Sequence, residues 1–323
     1  MTPKISVIMP IYNEEQFVRL AIESILNQTF SEFEFIIIDD GSTDNTIDAI
    51  ESFDDPRIIL YKSHKRGIAE QLNFGIQKSR SHLIARMDGD DISIQERLEY
   101  QYNLLKEKND ISIVGTNIKY VNENGMVFSE MKYPEHNEDI EFQMPIESAV
   151  CHPVTVIRKE VFEKYGLYDN KFNYAEDHEL FLRFIFKGVK FYNIQLPLFL
   201  YRAPIFRTDR NNIARQNLLS YKLGLEYLQK RYQSKNSKID NYKFYYSMGL
   251  LEYYRGDIST SRKYFINALS FVKSKKIKLI RYIIVSFLGN RIINFLRDKN
   301  ILPMFSLIVK RLTGKDFHSV SLK

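Results

Sequence analysis

The feature that most constrains this chain is an alternation of two hydrophobic periodicities that runs up to Val121. ISVIMPI at 5–11 is a short apolar run rich in β-branched residues, and EEQFVRLAIESILNQ at 14–28 then places Phe17, Leu20, Ala21, Ile25 and Leu26 near helical spacing. The unit recurs as FEFIIIDD then TDNTIDAIESF, RIILYKS then GIAEQLNFGIQKS, HLIARMD then SIQERLEYQYNLLKEK, and it ends in ISIVGTNIKYV. Strands that are apolar at consecutive positions, such as 35–38, must be covered on both faces. The expectation is therefore an α/β fold, with a mostly parallel Rossmann-like sheet flanked by helices.

From about Asn122 to Tyr201 the alternation loosens. RKEVFEKYG and EDHELFLRFIFKG read as helices ending at Gly166 and Gly188, and KFYNIQLPLFLYR as a strand interrupted by Pro197. From Asn211 the pattern is helical, and MGLLEYYRGDISTSRKYFINAL resembles one tetratricopeptide unit, although one such unit cannot bury its own face. The expected organisation is an α/β domain over 1–210 and a helical accessory region over 211–323.

Charge and cysteine usage narrow the partners. Cys151 is the only cysteine of the 323 residues, so no intrachain disulfide can form and a reducing, cytoplasmic setting is expected. The net charge of +6 is concentrated in 272–323, which carries twelve Lys/Arg against two Asp/Glu. The rest of the chain is slightly acidic, so no nucleic acid is expected on its body. MTPKISVIMPIYN does not read as a signal peptide. IKLIRYIIVSFLGNRIINFL is interrupted by Lys278, Arg281 and Arg291, which argues against a membrane span. The basic tail has two readings: amphipathic helices on an anionic membrane surface, which would make the protein peripheral on the cytoplasmic face, or ordinary helix packing with a solvated basic face.

In open α/β sheets ligands bind beyond the carboxyl ends of the strands. Those ends carry Pro10, Tyr12, Asn13 and Glu14, then Asp39 and Asp40, then Asp88, Gly89, Asp90 and Asp91. Neither G-x-G-x-x-G nor G-x-x-x-x-G-K-[ST] is present, which disfavours dinucleotide dehydrogenases and P-loop enzymes. Three carboxylates in MDGDD repel one another unless a cation neutralises them. An oxygen-only ligand set suits Mg²⁺ or Mn²⁺ completed by phosphate oxygens. The same residues also read as a solvated turn before a helix capped by Ser93. DDGSTDNT is a turn, yet Asp40 ends a strand where it could accept from a base N–H. Tyr12 could stack on that base or simply pack, and Arg66 could meet a phosphate or lie in solvent.

ISVIMPIYNEE, IIIDDGSTDNT, GIAEQLNFGI, ARMDGDD with ERLEYQ after it, and HPVTVIRKEVF leading to YAEDHELFLRF together resemble family 2 of the glycosyltransferases over roughly residues 4–202. These are inverting nucleotide-sugar enzymes of the GT-A fold. The resemblance implies a nucleoside pocket lined by Pro10, Tyr12 and Glu14, with Asp40 reading the base and Arg66 touching the nucleotide. It makes Asp88-Gly89-Asp90 the D-x-D element, with Asp88 on the ribose and metal side and Asp90 on the Mg²⁺ or Mn²⁺ ion. Gly89 permits a tight turn there. Asp91 would shape the acceptor side, and His152 would contact phosphates or the acceptor. Asp177 would be the base, since an acceptor hydroxyl must lose its proton on the face opposite the leaving nucleotide. Outside the family context, Glu176 and Asp177 read as acids at a helix N-terminus and His178 as a structural histidine, while Arg183 has two readings, orienting a carboxylate or forming an ordinary ion pair.

The implied activity is transfer of a sugar, from a UDP-sugar first, to a hydroxyl of a glycan or lipid-linked glycan in surface polysaccharide synthesis. A nucleotidyltransferase would want a Gly- and Lys-rich loop after the first strand, which PIYNEEQF lacks. A catalytically silent nucleotide-sugar-binding scaffold, using the helical region for protein partners, is the alternative.

Overall fold

The computed structural model describes residues 2–64, 66–202, 210–232 and 238–271. The chain divides into two compact units, 1–220 and 221–323. In the first, β1 (Ile5–Ile11), α1 (Val18–Leu26), β2 (Phe33–Asp39), α2 (Thr46–Glu51), β3 (Ile58–Lys62), α3 (Ile68–Lys78) and β4 (Leu83–Arg86) realise the expected alternation. Every residue of β1 and β2 is buried. Val7, Met9, Phe35 and Ile37 share a cluster with Ala21, Ile22 and Ile25 of α1. The opposite face receives α3, which sits so close that a Cβ on Gly75 would lie 2.6 Å from Ile8 Cγ2. Consecutive apolar positions are thus explained by helices on both sides of the sheet.

The remaining elements of this unit are β5 (Ile92–Ser93), α4 (Arg97–Glu107), β6 (Ile113–Val121), β7 (Val127–Met131), α5 (Asn137–Gln143), β8 (Val156–Arg158), α6 (Lys159–Tyr165), α7 (Glu176–Phe186) and β9 (Phe191–Arg202). The sheet order is β3-β2-β1-β4-β8-β6-β9-β5, with β7 beside β6. Pairing is parallel through β3, β2, β1 and β4 and again between β6 and β9, whereas β8, β5 and β7 pair antiparallel.

Two local expectations are corrected. Ser93 is not a helix cap: it belongs to β5, paired with Phe199, and α4 begins at Arg97. Pro197 does not interrupt its strand either; β9 continues through it by shifting register opposite Asn117, the irregularity that lets a strand absorb a missing N–H. Gly166 and Gly188 do close their helices, both with positive φ.

In the second unit, α9 (Lys238–Arg255) and α10 (Ile258–Leu269) form a helical hairpin, preceded by the last part of α8 (Arg210–Tyr232). Asp257 caps α10 by accepting from Thr260 N–H at 3.0 Å. Ser261 Oγ donates to the Gly249 carbonyl at 2.8 Å, and Phe265 is fully buried. No helix among the described residues is long and apolar enough to cross a membrane. The basic tail expected to touch a membrane, 272–323, lies outside the described residues.

Candidate active site

The cleft is built by stitching the first two strand ends together. Asn13 takes a left-handed conformation (φ 55°), which asparagine tolerates better than most residues, and its Oδ1 accepts from Thr43 N–H at 2.8 Å. In return Asn13 N–H donates to Ser42 Oγ at 2.9 Å and Glu14 N–H to Thr46 Oγ1 at 2.8 Å. Asp39 accepts from Gly41 and Ser42 N–H groups, holding the turn after β2. Asp40 spans to the next connection and accepts from Arg66 N–H at 2.7 Å and Gly67 N–H at 3.0 Å. It therefore fixes the entry to α3 from a position where it also borders the cleft.

That cleft has a volume of about 200 Å³ and is lined by Pro10, Ile11, Tyr12, Glu14, Asp40, Ile68, Gln71, Asp88, Gly89 and Asp90. Six of the candidate residues meet here: Pro10, Tyr12, Glu14, Asp40, Asp88 and Asp90. Gly89 is required for a reason other than a special turn: its φ is not positive, but a Cβ would lie 2.7 Å from Ile11 Cγ2 and 3.4 Å from Glu14 Cγ. Arg66 does not line the cleft; its side chain is exposed and only its backbone N–H meets Asp40.

Asp88, Asp90 and Asp91 each offer an oxygen within 4.8 Å of the others. Asp91 is 1% exposed; its Oδ1 accepts from Arg202 N–H at 2.7 Å, while its Oδ2 has no hydrogen-bond partner among the described residues. Burial, followed by the charges of Asp88 and Asp90, pushes its carboxyl well above the usual range. An orphaned buried carboxylate oxygen among like charges is the setting a hard divalent cation relieves, so the donor set fits Mg²⁺ or Mn²⁺. Arg202 braces the turn from the end of β9. Its Nε donates to the Asp90 carbonyl at 2.8 Å and its guanidinium lies 4.2 Å from the Phe17 ring centre.

Arg86, which the sequence reading did not single out, is 4% exposed at the end of β4 and pairs with Asp88. Burial opposes its charge, but Asp88 outweighs that and holds the guanidinium above its ordinary value. The signal was an arginine between the apolar run Leu83 to Ala85 and the candidate Asp88. Its charge reaches the other half of the site: burial raises the Asp177 carboxyl, while the N–H of His178, at 2.7 Å, and Arg86 pull it back. Asp88 acts on Asp177 as well, in the opposite sense. Asp177 thus stands near the acid cluster without lining the cleft, half-buried in the first turn of α7. The residue before that turn but one, Tyr174, has φ 77°, a strained conformation for an aromatic side chain. Glu176 beside it is 8% exposed, and burial together with the Asp177 charge pushes its carboxyl up to about 7.

His152 lies away from the cleft lining. Its Nε2 is 2.7 Å from Tyr168 Oη, its ring packs against Tyr168 and Phe181, and burial followed by Arg86 holds it well below its ordinary value. The enclosed ring is held by Tyr168 and Phe181, outside the residues that line the cleft. Arg183 pairs with Glu179 and donates to the carbonyls of Tyr165, Gly166 and Leu167, tying α7 to the end of α6. His178 is buried on α7, outside the acid cluster.

Comparison with known proteins finds relatives of the chain in sequence and in fold. The family model described as Glycosyl transferase family 2 matches residues 6–166. The O-antigen biosynthesis glycosyltransferase WbnJ of Escherichia coli is 36% identical over 232 residues, spanning 70% of this chain and 90% of that protein. The UDP-Glc:alpha-D-GlcNAc-diphosphoundecaprenol beta-1,3-glucosyltransferase WfgD of Escherichia coli is 36% identical over 124 residues, 38% of this chain and 49% of that one. Among solved structures, the mannosyltransferase PcManGT from Pyrobaculum calidifontis, in complex with GDP-Man and Mn²⁺, superposes with a TM-score of 0.55 at 16% identity, covering 98% of this chain and 89% of that one, a likeness of fold. With an acid-lined cleft at the carboxyl edge of an α/β sheet and a relative matched over most of both lengths, the chain belongs to family 2 of the glycosyltransferases.

Proposed function

We propose that this glycosyltransferase moves a sugar from a nucleotide-diphosphate sugar, a UDP-sugar first, to a hydroxyl of a glycan or lipid-linked glycan with inversion at the anomeric carbon. The observation that carries this reading is the grouping of Tyr12, Asp40, Asp88 and Asp90 around one cleft, with Asp177 close enough to feel both Asp88 and Arg86. Asp88 and Asp90 would hold Mg²⁺ or Mn²⁺, with Asp91 completing the acidic wall. When bound, the cation offsets the charge that develops on the departing diphosphate. The nucleoside lies along Pro10, Tyr12 and Glu14 with its base toward Asp40.

Asp177 takes the proton of the acceptor hydroxyl as its oxygen bonds to the anomeric carbon and the bond from that carbon to the diphosphate oxygen breaks. Its raised proton affinity makes it a stronger base than an exposed aspartate. Arg86 keeps Asp88 oriented and limits how far burial discourages ionisation of Asp177. WfgD, with its UDP-Glc donor and diphosphoundecaprenol-linked acceptor, and WbnJ, in O-antigen biosynthesis, support a lipid-linked glycan acceptor in surface polysaccharide synthesis.

The test is a panel of nucleotide sugars with Mn²⁺, followed by nucleotide release. Wild type turns over at least one donor, and Asp177→Asn lowers kcat by about 10²–10⁴-fold while nucleotide affinity is kept. No turnover of any donor by folded protein, with or without lipid-linked acceptors, would refute the proposal.

A further inference from the structure

We infer that Gln71 selects the nucleotide base, donating a hydrogen bond from its side-chain amide to the carbonyl beside the ring N–H that Asp40 accepts. This rests on the reading of the cleft as a nucleotide site. Gln71 stands in the first turn of α3, lines the cleft beside Ile68, and is 2% exposed. Its Nε2 has no hydrogen-bond partner among the described residues. A buried donor left unpaired is costly, and the native structure tolerates it most readily where a ligand completes it. The terminal amide torsion of glutamine is broad, so Nε2 can turn to the cleft without displacing the helix.

The position along the cleft follows from the sheet. Asp40 follows β2 and Asp88 follows β4, with β1 between them. Two strand spacings separate these ends, about 10 Å, which is the span between the diphosphate and the base of a nucleotide. A diphosphate over the aspartate cluster therefore brings the base to Asp40 and Gln71. Asp40 already accepts from Arg66 and Gly67 N–H groups, yet a carboxylate has about four acceptor positions, so it can take a further donor. Those same two bonds fix the start of α3 and hence the place of Gln71.

An acceptor from Asp40 next to a donor from Gln71 is complementary to an imide edge, a ring N–H adjoining C=O, which uracil and guanine both present. Cytosine and adenine present a ring nitrogen acceptor adjoining an amino donor, so both contacts would set like against like. A site built on such bonds rejects the mismatched ligand because its own polar groups are left unpaired.

The experiment is titration of the full chain with UDP, GDP, CDP and ADP in Mg²⁺, for wild type, Gln71→Met and Gln71→Glu. Methionine keeps the volume and removes the donor; glutamate keeps the shape and offers no donor when ionised. Wild type is expected to bind UDP or GDP at least tenfold more tightly than CDP and ADP. Each variant should weaken the preferred imide nucleotide by about tenfold and leave CDP within threefold, with the UDP and GDP arms identifying which base fits. Wild-type selectivity retained in the variant that folds, as judged by its melting transition, would overturn the inference. Wild type that binds all four bases equally would do the same while leaving the nucleotide site intact. Binding of none of the four would overturn the nucleotide reading itself and the inference with it.

Discussion

Glu176→Gln separates the cost of a buried charge from its geometry. Glu176 is 8% exposed, its Oε2 has no hydrogen-bond partner among the described residues, and burial with the Asp177 charge pushes its carboxyl from 4.5 up to about 7. Each tenfold change in proton affinity corresponds to about 1.4 kcal/mol, so the ionised side chain costs the folded state about 3 kcal/mol. The sign follows from linkage. Between pH 4.5 and 7 the folded chain binds more proton at this position than the unfolded chain, so this residue's contribution to stability falls as pH rises through that window and is level above about pH 8. Glutamine has the same shape and no charge to bury. The expected outcome is a variant near wild-type stability at pH 5 and more stable by about 3 kcal/mol at pH 8. Urea unfolding at pH 5, 6, 7 and 8, with the variant minus wild-type difference plotted against pH, reads Glu176 together with its coupling to Asp177, because titrating groups that do not interact with Glu176 cancel. A difference independent of pH, or a variant less stable at pH 8, would refute the reasoning.

Two further outcomes are expected. Gly89→Ala places a methyl 2.7 Å from Ile11 Cγ2 in the floor of the cleft, so it should cost about 1–3 kcal/mol in urea unfolding and weaken nucleotide binding with it; a change below about 0.5 kcal/mol would show that the floor yields freely. Removing divalent metal with a chelator should abolish most of the thermal stabilisation that a nucleotide sugar gives wild type, and Asp90→Ala should show that loss even with Mn²⁺ present; equal shifts with and without metal would remove the cation from the aspartate cluster.

The alternation of strand and helix was legible because a parallel sheet covered on both faces demands consecutive apolar residues, and Phe35 to Ile38 have that pattern. Carboxylates at strand ends were legible for the same reason, since they break apolar runs at fixed points. The buried partners of those carboxylates were harder to read. Arg86 carried a signal, a charge inside a buried strand, but Arg202 lies 111 residues from Asp91 and meets it only because β9 returns beside β5 and β6. Gln71 carries no signal of its own in GIAEQLNFGI, because it reaches the cleft only through the start of α3 that Asp40 fixes. His152 was expected to contact phosphates or the acceptor; its packing against Tyr168 and Phe181, outside the cleft lining, was not legible in the sequence.

Local order along the chain determined the elements and the acids that end them, because hydrophobic periodicity and turn chemistry act over a few residues. Which buried side chains meet those acids was decided by the tertiary structure. Strand order, register and the antiparallel return through β8 and β9 set distances between residues far apart in sequence, and electrostatics acts through those distances. Asp177, separated from Asp88 along the chain by four strands and three α-helices, acquires its strengthened basicity only from the burial and the charges that folding puts around it.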